Sequence, residues 1–405
     1  MGSLIQAPEL LAPAGDMERL QAAIRFGADA VYLAGKQFGM RSACANFAPD
    51  ELRAAVAYAH ARGVRVYVTC NIVPHPDEMA HLPQFLTDAA AAGADALIVS
   101  DLGVFRVARR VVPQMALHVS TQAGVTNAES ARLFYELGAR RIVPARELSL
   151  AELAAIRREI PADMEIEAFV HGAMCVSFSG RCLLSSYLTG RDSNRGDCAQ
   201  PCRWRYALTE EKRPGQYFPI EEDDRGTYIM NARDLCMIDH IPELMAAGVT
   251  SFKIEGRAKS AYYVACTVNA YRMAIDAAMA GRPPEPWVRE EVQRISHRAY
   301  STGFFFGDAP GQCYENGGYL RSYEVAAVAQ HWADGVLVAA QRNRFFCGET
   351  LEIVAPGRPP EPLPVTALFD GDGQPIASAN HAEMVLRIPC AQPVAPGALL
   401  RHVKP

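Results

Sequence analysis

Short apolar runs alternate with longer amphipathic stretches along the first two thirds of the chain. Each run is rich in aliphatic residues and predicts a buried strand, whereas each following stretch has apolar residues at helical spacing. The eight predicted strands are Glu9–Ala14, Ala30–Ala34, Val64–Cys70, Ala96–Ser100, Ala116–Thr121, Arg141–Ala145, Ile166–Val170 and Ser251–Glu255. Eight such strand–helix units predict a TIM-like (β/α)8 barrel. The alternative is an open doubly wound sheet, but Pro13-Ala14-Gly15 is not its usual phosphate turn.

The alternation breaks between the seventh and eighth predicted strands. About eighty residues separate His171 from Ser251, where a usual unit needs about thirty, and so long a connection is normally functional. We expect an insertion at residues 173–250 that starts at the carboxyl end of the seventh strand, the face where barrel active sites lie. Five of the eleven cysteines fall inside it.

The last part of the chain has a different pattern. Gly281–Pro286 has the composition of a linker, and from about Ser322 short alternating strands are separated by turn signals. We therefore predict a barrel domain at 1–285, a connector at 286–321 and a small β-barrel domain at 322–405. That last domain could be structural or could dock a substrate.

Composition narrows the classes of function. The formal net charge is −5, so a nucleic-acid partner would need a local basic patch. No apolar stretch approaches the roughly 18 residues that span a membrane, which predicts no membrane helix. The first residues, MGSLIQAPELLAPAG, lack a secretory pattern, so we expect a cytoplasmic protein whose cysteines are reduced thiols or metal ligands.

The inserted cysteines are Cys175, Cys182, Cys198, Cys202 and Cys236. Structural zinc sites usually repeat a close cysteine pair, and only Cys198 and Cys202 have that spacing. Thiolates from separated loop positions can equally hold a 4Fe-4S cluster. Ordinary packing is a third explanation, but the arginines interleaved with these cysteines argue against an apolar core segment.

Several segments together resemble a known family. They are HGAMCVSFSGRCLLSSYLTGRDSNRGDCAQPCRWRY from His171, YIMNARDLCMIDHIPEL, SFKIEGRAKSAYYVACTVNAYR, ELLAPAGDMERLQAAIRFGADAVYLAG and STQAGVTN. They resemble the collagenase-like peptidases of unknown catalytic type, and the similarity covers essentially the whole chain. Better-understood members support hydroxylation of transfer RNA wobble uridine, of a ribosomal RNA cytidine or of a ubiquinone precursor.

The resemblance implies a 4Fe-4S cluster, with prephenate required in the RNA branches. The family's four cysteines map onto Cys175, Cys182, Cys198 and Cys236, and Cys202 is a fifth candidate beside Cys198. Protein purified in air could carry zinc or an empty site instead. A peptidase is the weaker interpretation, because the chain has no HExxH helix or GxSxG elbow and offers only a His171–Cys175 pair.

Further candidates follow from the predicted strand ends. Alternation along SFKIE directs Phe252 and Ile254 toward the helices and Lys253 and Glu255 into the barrel. With Arg257, the two inward charges could clamp a dicarboxylate such as prephenate, or they could be a buried structural ion pair. We predict catalytic roles for His171, Lys253, Glu255 and Arg257, and metabolite or cofactor binding by Arg41, Gln122 and Arg146; Arg41 could instead be a solvated surface side chain.

A local basic segment fits an RNA substrate. Residues 181–213 have a surplus of three positive charges and include Tyr187, Trp204 and Tyr206, which suit a splayed-out base. The expected function is prephenate-dependent hydroxylation of transfer RNA wobble uridine to 5-hydroxyuridine. Ribosomal RNA cytidine hydroxylation, a collagenase-like peptidase and a non-catalytic cluster-bearing RNA-binding subunit are the alternatives.

Overall fold

The computed structural model describes residues 7–404 except 42–43, 176, 179, 205–207, 210–216, 219–221, 224–225, 228–231 and 308–318. Eight parallel strands form a closed barrel, in which the eighth strand pairs with both the first and the seventh. These strands are Glu9–Pro13, Ala30–Ala34, Arg65–Cys70, Ala96–Val99, Ala116–Val119, Arg141–Ile142, Glu165–Gly172 and Ser251–Ile254. The predicted barrel is confirmed.

Successive residues of the barrel strands face opposite sides, as the pleat requires. Leu11, Tyr32 and Tyr67 belong to an apolar cluster separate from the large one between strands and helices, which contains Phe252 and Ile254. Lys253 lies between those two residues in the strand, and its ammonium group contacts a side chain of the neighbouring seventh strand. The structure therefore confirms that Lys253 points into the barrel.

The helices are mostly short, and several begin at a polar N-cap residue. They are Met17–Arg25, Pro49–His60, Pro76–Met79, Leu82–Ala91, Leu102–Val111, Ala128–Glu136, Leu150–Glu159, Leu184–Thr189, Ile241–Ala246, Ala261–Met279 and Pro286–Gln293. Asp16, Asp101 and Ser260 each accept a backbone N–H three residues on, which satisfies a donor that the first helical turn leaves unpaired. None of the helices in the described ranges has the length and apolarity to cross a bilayer.

The insertion lies at the carboxyl end of the barrel. It contains the helix Leu184–Thr189, 3-10 turns at Ser193–Arg195, Pro201–Arg203 and Ile238–His240, and strands Leu208–Thr209, Tyr217–Phe218, Glu222–Asp223, Gly226–Thr227 and Asp234–Cys236. The last of these strands pairs antiparallel with the end of the seventh barrel strand, Leu235 opposite Gly172 and Cys236 opposite His171. Strand Tyr300–Ser301 pairs with its other edge. The barrel sheet is thus extended by two short strands beyond its eight parallel ones.

The carboxyl-terminal domain is all β, as expected. Its strands are Tyr323–Ala333, Val336–Gln341, Phe345–Phe346, Thr350–Val354, Glu361–Pro364, Phe369–Asp370, Ser378–Ala379, Val385–Pro389 and Leu399–Val403. Seven of them form one antiparallel sheet whose edge strands, Glu361–Pro364 and Phe369–Asp370, do not pair with each other in the described chain. The small β domain that the alternation predicted is confirmed, and its main sheet has the form of a half-barrel.

Buried ion pairs fix this domain against the last barrel helices. The Arg401 guanidinium is fully buried and bonds both carboxylate oxygens of Glu291, at 2.6 and 2.9 Å. It also donates to Glu352 at 2.9 Å and to the Tyr262 hydroxyl at 3.1 Å. Bidentate pairing of this kind is geometrically specific, so it sets the orientation of the half-barrel relative to the helix Ala261–Met279.

Candidate functional site

A cavity opens at the carboxyl end of the barrel, between the strand ends and the insertion. Its empty space is about 1140 Å³ including the open mouth, which is large enough for a small metabolite and part of a nucleotide. The predicted site residues that line it are Arg41, Gln122, Arg146, Cys175, Cys182, Cys198, Lys253, Glu255 and Arg257. Sequence positions far apart in the chain therefore meet at one place.

Four thiols line this cavity: Cys175, Cys182, Cys198 and Cys202. The Cys182 carbonyl accepts hydrogen bonds from Ser193 Oγ at 2.8 Å and Asn194 Nδ2 at 3.2 Å, which tie the two cysteine-bearing loops together. Gly180, just before Cys182, has a φ of 75°, and a Cβ there would lie 2.6 Å from the Gln122 carbonyl. Only glycine allows the insertion to lie this close to the barrel.

Cys236, predicted as a metal ligand, has a different environment. Its sulfur accepts a hydrogen bond from the Tyr271 hydroxyl at 3.9 Å, and Cys236 is not among the described residues that line the cavity. Burial raises the pKa of the Cys236 thiol to about 11. The structure brings three of the four predicted ligands together, with Cys202 beside them instead of Cys236.

The chemistry of this donor set fits an iron–sulfur cluster, because soft thiolates are its ordinary ligands. The sulfurs are not gathered into a finished site, however. Among the described residues no group of three or more cysteine, histidine or carboxylate side chains stands close enough to hold a metal ion. Cluster binding would therefore have to draw the loops that carry Cys175, Cys182 and Cys198 together.

Arg257 is the most unusual side chain of the cavity. Only 3% of the residue is exposed, and its Nη1 donates to Thr69 Oγ1 at 3.0 Å. Its Nε and Nη2 groups are buried with no hydrogen-bond partner among the described residues. Burial lowers the pKa of this guanidinium, yet arginine keeps its charge at physiological pH. Unsatisfied donors on a buried cation make Arg257 a strong candidate for binding an anion.

Other cations surround Glu255 at the same mouth. Arg41 Nη2 lies 3.4 Å from Glu255 Oε1, and the Tyr32 hydroxyl donates to the other oxygen at 3.3 Å. Burial alone would raise the pKa of the Glu255 carboxyl, but Arg41, Arg146 and Arg257 outweigh burial and lower that pKa. Glu255 is therefore ionised, and it partly neutralises the arginines around it.

Arg146 is held by contacts on two sides. Its Nη1 donates to the Ala173 carbonyl at 2.9 Å, and its guanidinium lies 3.7 Å over the Phe169 ring. Its Nε is buried without a hydrogen-bond partner in the described chain.

Arg41 and Gln200, which also line the cavity, have left-handed backbones with φ of 67° and 58°. Such conformations cost about 1–3 kcal/mol each and are typical of ligand sites.

Lys253 has a partner that the sequence did not reveal. Its ammonium donates to Glu167 Oε1 at 2.6 Å, and Glu167 is itself fully buried in the seventh strand. Arg141 donates to the other Glu167 oxygen at 3.0 Å and to Glu9 at 2.7 Å. Of the two explanations considered for Lys253, the structure favours the buried ion pair over the clamp.

His171 lies in a cluster of tyrosines. Its Nδ1 is 3.4 Å from the Tyr271 hydroxyl and its Nε2 is 3.5 Å from the Tyr300 hydroxyl, and the ring also packs near Tyr263. Burial lowers the pKa of His171 to about 3, so the imidazole is neutral at physiological pH. His171 is not among the described residues that line the cavity, and its surroundings are packed aromatic rings. Its predicted catalytic role stays a prediction.

Some residues of the cavity were not among the predicted site residues. Tyr32 and Thr69 both line it, and both occupy predicted strands. The alternation of inward and outward residues along the second and third strands, like that along the eighth, is the sequence signal for these two positions. Tyr206, a candidate for base stacking, lies outside the described residues.

The fold and the cavity together define a class: a (β/α)8 barrel protein with thiols and arginines at its mouth, carrying a β half-barrel. Residues 15–314 match the description "Peptidase family U32", and residues 321–401 match "Peptidase family U32 C-terminal domain". The chain belongs to peptidase family U32. The resemblance to collagenase-like peptidases is thereby confirmed.

Three relatives of this chain carry different names. "tRNA hydroxylation protein P1" of Bacillus subtilis is 36% identical, covering 99% of this chain and 96% of its own length. "23S rRNA 5-hydroxycytidine C2501 synthase" of Escherichia coli is 39% identical over 68% of this chain and 40% of its own length. "Collagenase" of Porphyromonas gingivalis is 34% identical over 75% of each.

Proposed function

We propose that this protein is an RNA hydroxylase that converts the wobble uridine of transfer RNA to 5-hydroxyuridine, with prephenate and a 4Fe-4S cluster. One observation carries the proposal: a single cavity holds both a set of thiols and a buried arginine with unsatisfied donors. The relative named for tRNA hydroxylation is matched along almost its whole length, whereas the ribosomal RNA enzyme is matched over 40% of its length. That difference favours transfer RNA over ribosomal RNA.

Cys175, Cys182 and Cys198 would hold the cluster, together with either Cys202 or Cys236. When bound, such a cluster supplies the one-electron chemistry that amino-acid side chains lack. Arg257 binds a metabolite carboxylate with its unsatisfied Nε and Nη2, and Arg146 adds positive charge beside it. A loop nucleotide can enter the mouth because unstacking it costs only about a few kcal/mol.

Proteolysis is disfavoured by the same geometry. A cysteine peptidase needs a base beside its nucleophile. His171 is the histidine nearest to Cys175 in the sequence, but both of its ring nitrogens are directed at tyrosine hydroxyls. Its low pKa also makes it a poor proton acceptor at neutral pH.

The test of the function is mass spectrometry of transfer RNA nucleosides from a strain that lacks the gene. We expect 5-hydroxyuridine and its derivatives to disappear from the deletion strain and to return on complementation with the wild-type chain. Unchanged 5-hydroxyuridine in the deletion strain would exclude the transfer RNA assignment. Loss of a ribosomal hydroxycytidine in that strain would assign the ribosomal RNA reaction instead.

Replacing Arg257 with glutamine should weaken prephenate binding by about tenfold to a hundredfold, because a hydrogen bond to a charged group contributes about 1.5–3 kcal/mol. Arg257→Lys should be intermediate, since lysine keeps the charge and loses the planar fork. Calorimetric titration of anaerobically purified protein with prephenate measures both effects. Arg62→Gln is the control, because Arg62 is exposed and contacts Tyr58 at the opposite end of the barrel. Equal affinities for wild type and Arg257→Gln would show that the carboxylate binds elsewhere.

A further inference from the structure

A second, larger cavity runs between the barrel and the half-barrel. Its empty space is about 1920 Å³, and we call it the interdomain groove. The cationic residues that line it are Arg19, Arg41, Lys259, Arg321, Arg342 and Lys404. Tyr262, Tyr263, Tyr319 and Tyr323 line it as well. The first three cations belong to the barrel and the last three to the half-barrel, so both domains build the groove.

The groove is continuous with the cavity at the barrel mouth. Arg41, Gln200 and Glu255 line both of them. A chain lying in the groove could therefore place one of its units in the mouth. The groove therefore leads directly to the site of the proposed reaction.

Several groove cations already have carboxylate partners. Arg342 is paired with Glu18 at 3.5 Å and with Glu383 at 3.4 Å, Arg41 with Glu255 at 3.4 Å, and Arg19 with Asp16. Arg321 and Lys404 form no ion pair with a described carboxylate, so their positive charge is available to a ligand in the groove. Lys259 lies 3.8 Å from the centre of the Tyr319 ring, which places a cation and an aromatic face together.

The two walls of the groove are held at a fixed separation. Besides the buried Arg401–Glu291 pair, the Gly357 N–H donates to Asn269 Oδ1 at 2.8 Å and joins the half-barrel to the helix Ala261–Met279. Because the groove is preformed, ligand binding does not have to order its two walls. Less of the binding free energy is therefore lost to conformational entropy.

We propose that the interdomain groove binds the phosphate backbone of the RNA whose base enters the barrel mouth, and that the half-barrel exists to supply its second wall. The proposal rests on the proposed function and extends it to the path of the substrate. Spaced cations along a groove neutralise successive phosphates of a polynucleotide backbone. The groove is also larger than a small metabolite requires, which favours a polymer.

Reversing two charges on the half-barrel wall tests this assignment. Arg321 and Lys404 are exposed groove residues outside the barrel mouth, so Arg321→Glu with Lys404→Glu leaves the proposed chemistry untouched. We expect about tenfold weaker binding of transfer RNA at physiological salt. The slope of the logarithm of the binding constant against the logarithm of the salt concentration should also fall by about one for each lost phosphate contact. Fluorescence anisotropy of a labelled anticodon stem-loop and of full-length transfer RNA, over a series of salt concentrations, measures both quantities with the full-length protein.

The matched control is Arg358→Glu with Arg387→Glu, which makes the same change of charge at half-barrel residues that do not line the groove. The control should bind like wild type. Equal binding by the groove variant and wild type, or equal weakening in both double variants, would overturn the proposal. Nucleoside analysis of the complemented deletion strain separates the two proposals: a groove variant that restores 5-hydroxyuridine fully overturns the groove alone, whereas a deletion that never lost 5-hydroxyuridine overturns the function.

Discussion

Replacing Cys182 with alanine should abolish 5-hydroxyuridine in transfer RNA and leave the barrel folded. Cys182 lines the cavity in the insertion, and it is not part of the apolar cores of the barrel or the half-barrel. A four-thiolate cluster that loses one ligand loses its redox centre, so the expected effect is complete. The measurement combines nucleoside mass spectrometry of the complemented deletion strain with an iron count and absorption spectrum of anaerobically purified protein.

Cys347→Ala is the control, because Cys347 is an exposed free cysteine of the half-barrel. It should keep both iron and 5-hydroxyuridine. Cys202→Ala and Cys236→Ala, measured in the same series, identify the fourth ligand, and only one of the two should lose iron. Full rescue of 5-hydroxyuridine by Cys182→Ala would exclude a cluster mechanism, while the deletion result itself would still stand.

The barrel was predictable because its cause is local. Alternating apolar runs and helical stretches specify parallel strands, and the count of eight specifies closure. The convergence of Cys182, Arg146 and Arg257 was predictable for a similar reason, since each follows a strand or belongs to the insertion at one face. The order of the strands in the half-barrel sheet was not predictable, because alternation within each strand does not report which strands pair.

The identity of contact partners was also out of reach. Alternation directs Lys253 inward, but it does not show which side chain of the neighbouring strand lies opposite. Glu167, the partner of Lys253, belongs to a predicted strand with no other signal that marks it. His171 and Cys236 pair across two strands that are far apart in sequence, and tyrosines from a later helix surround them. Long-range packing therefore decides which polar residues of a motif reach the cavity.

Glu167 belongs to the buried ion-pair network under the cavity. Replacing it, as Glu167→Ala, should destabilise the barrel by about 3–5 kcal/mol. Glu167 is fully buried and neutralises both Lys253, at 2.6 Å, and Arg141, at 3.0 Å. Its removal leaves positive charge in the interior without enough compensation. Urea unfolding followed by helix circular dichroism measures the loss, because the helices in the described chain all precede residue 294 and thus report on the barrel.

Glu165→Ala is the matched control on the same strand. Glu165 also pairs with Arg141, but 44% of its side chain is exposed, so its loss should cost no more than about 1 kcal/mol. Combining Glu167→Gln with Lys253→Met should recover part of the stability, since both members of the pair then lose their charge. A cost for Glu167→Ala as small as that for Glu165→Ala would mean that Lys253 does not depend on Glu167. Lys253 would then be available to the metabolite, and the clamp that the sequence predicted would regain its support.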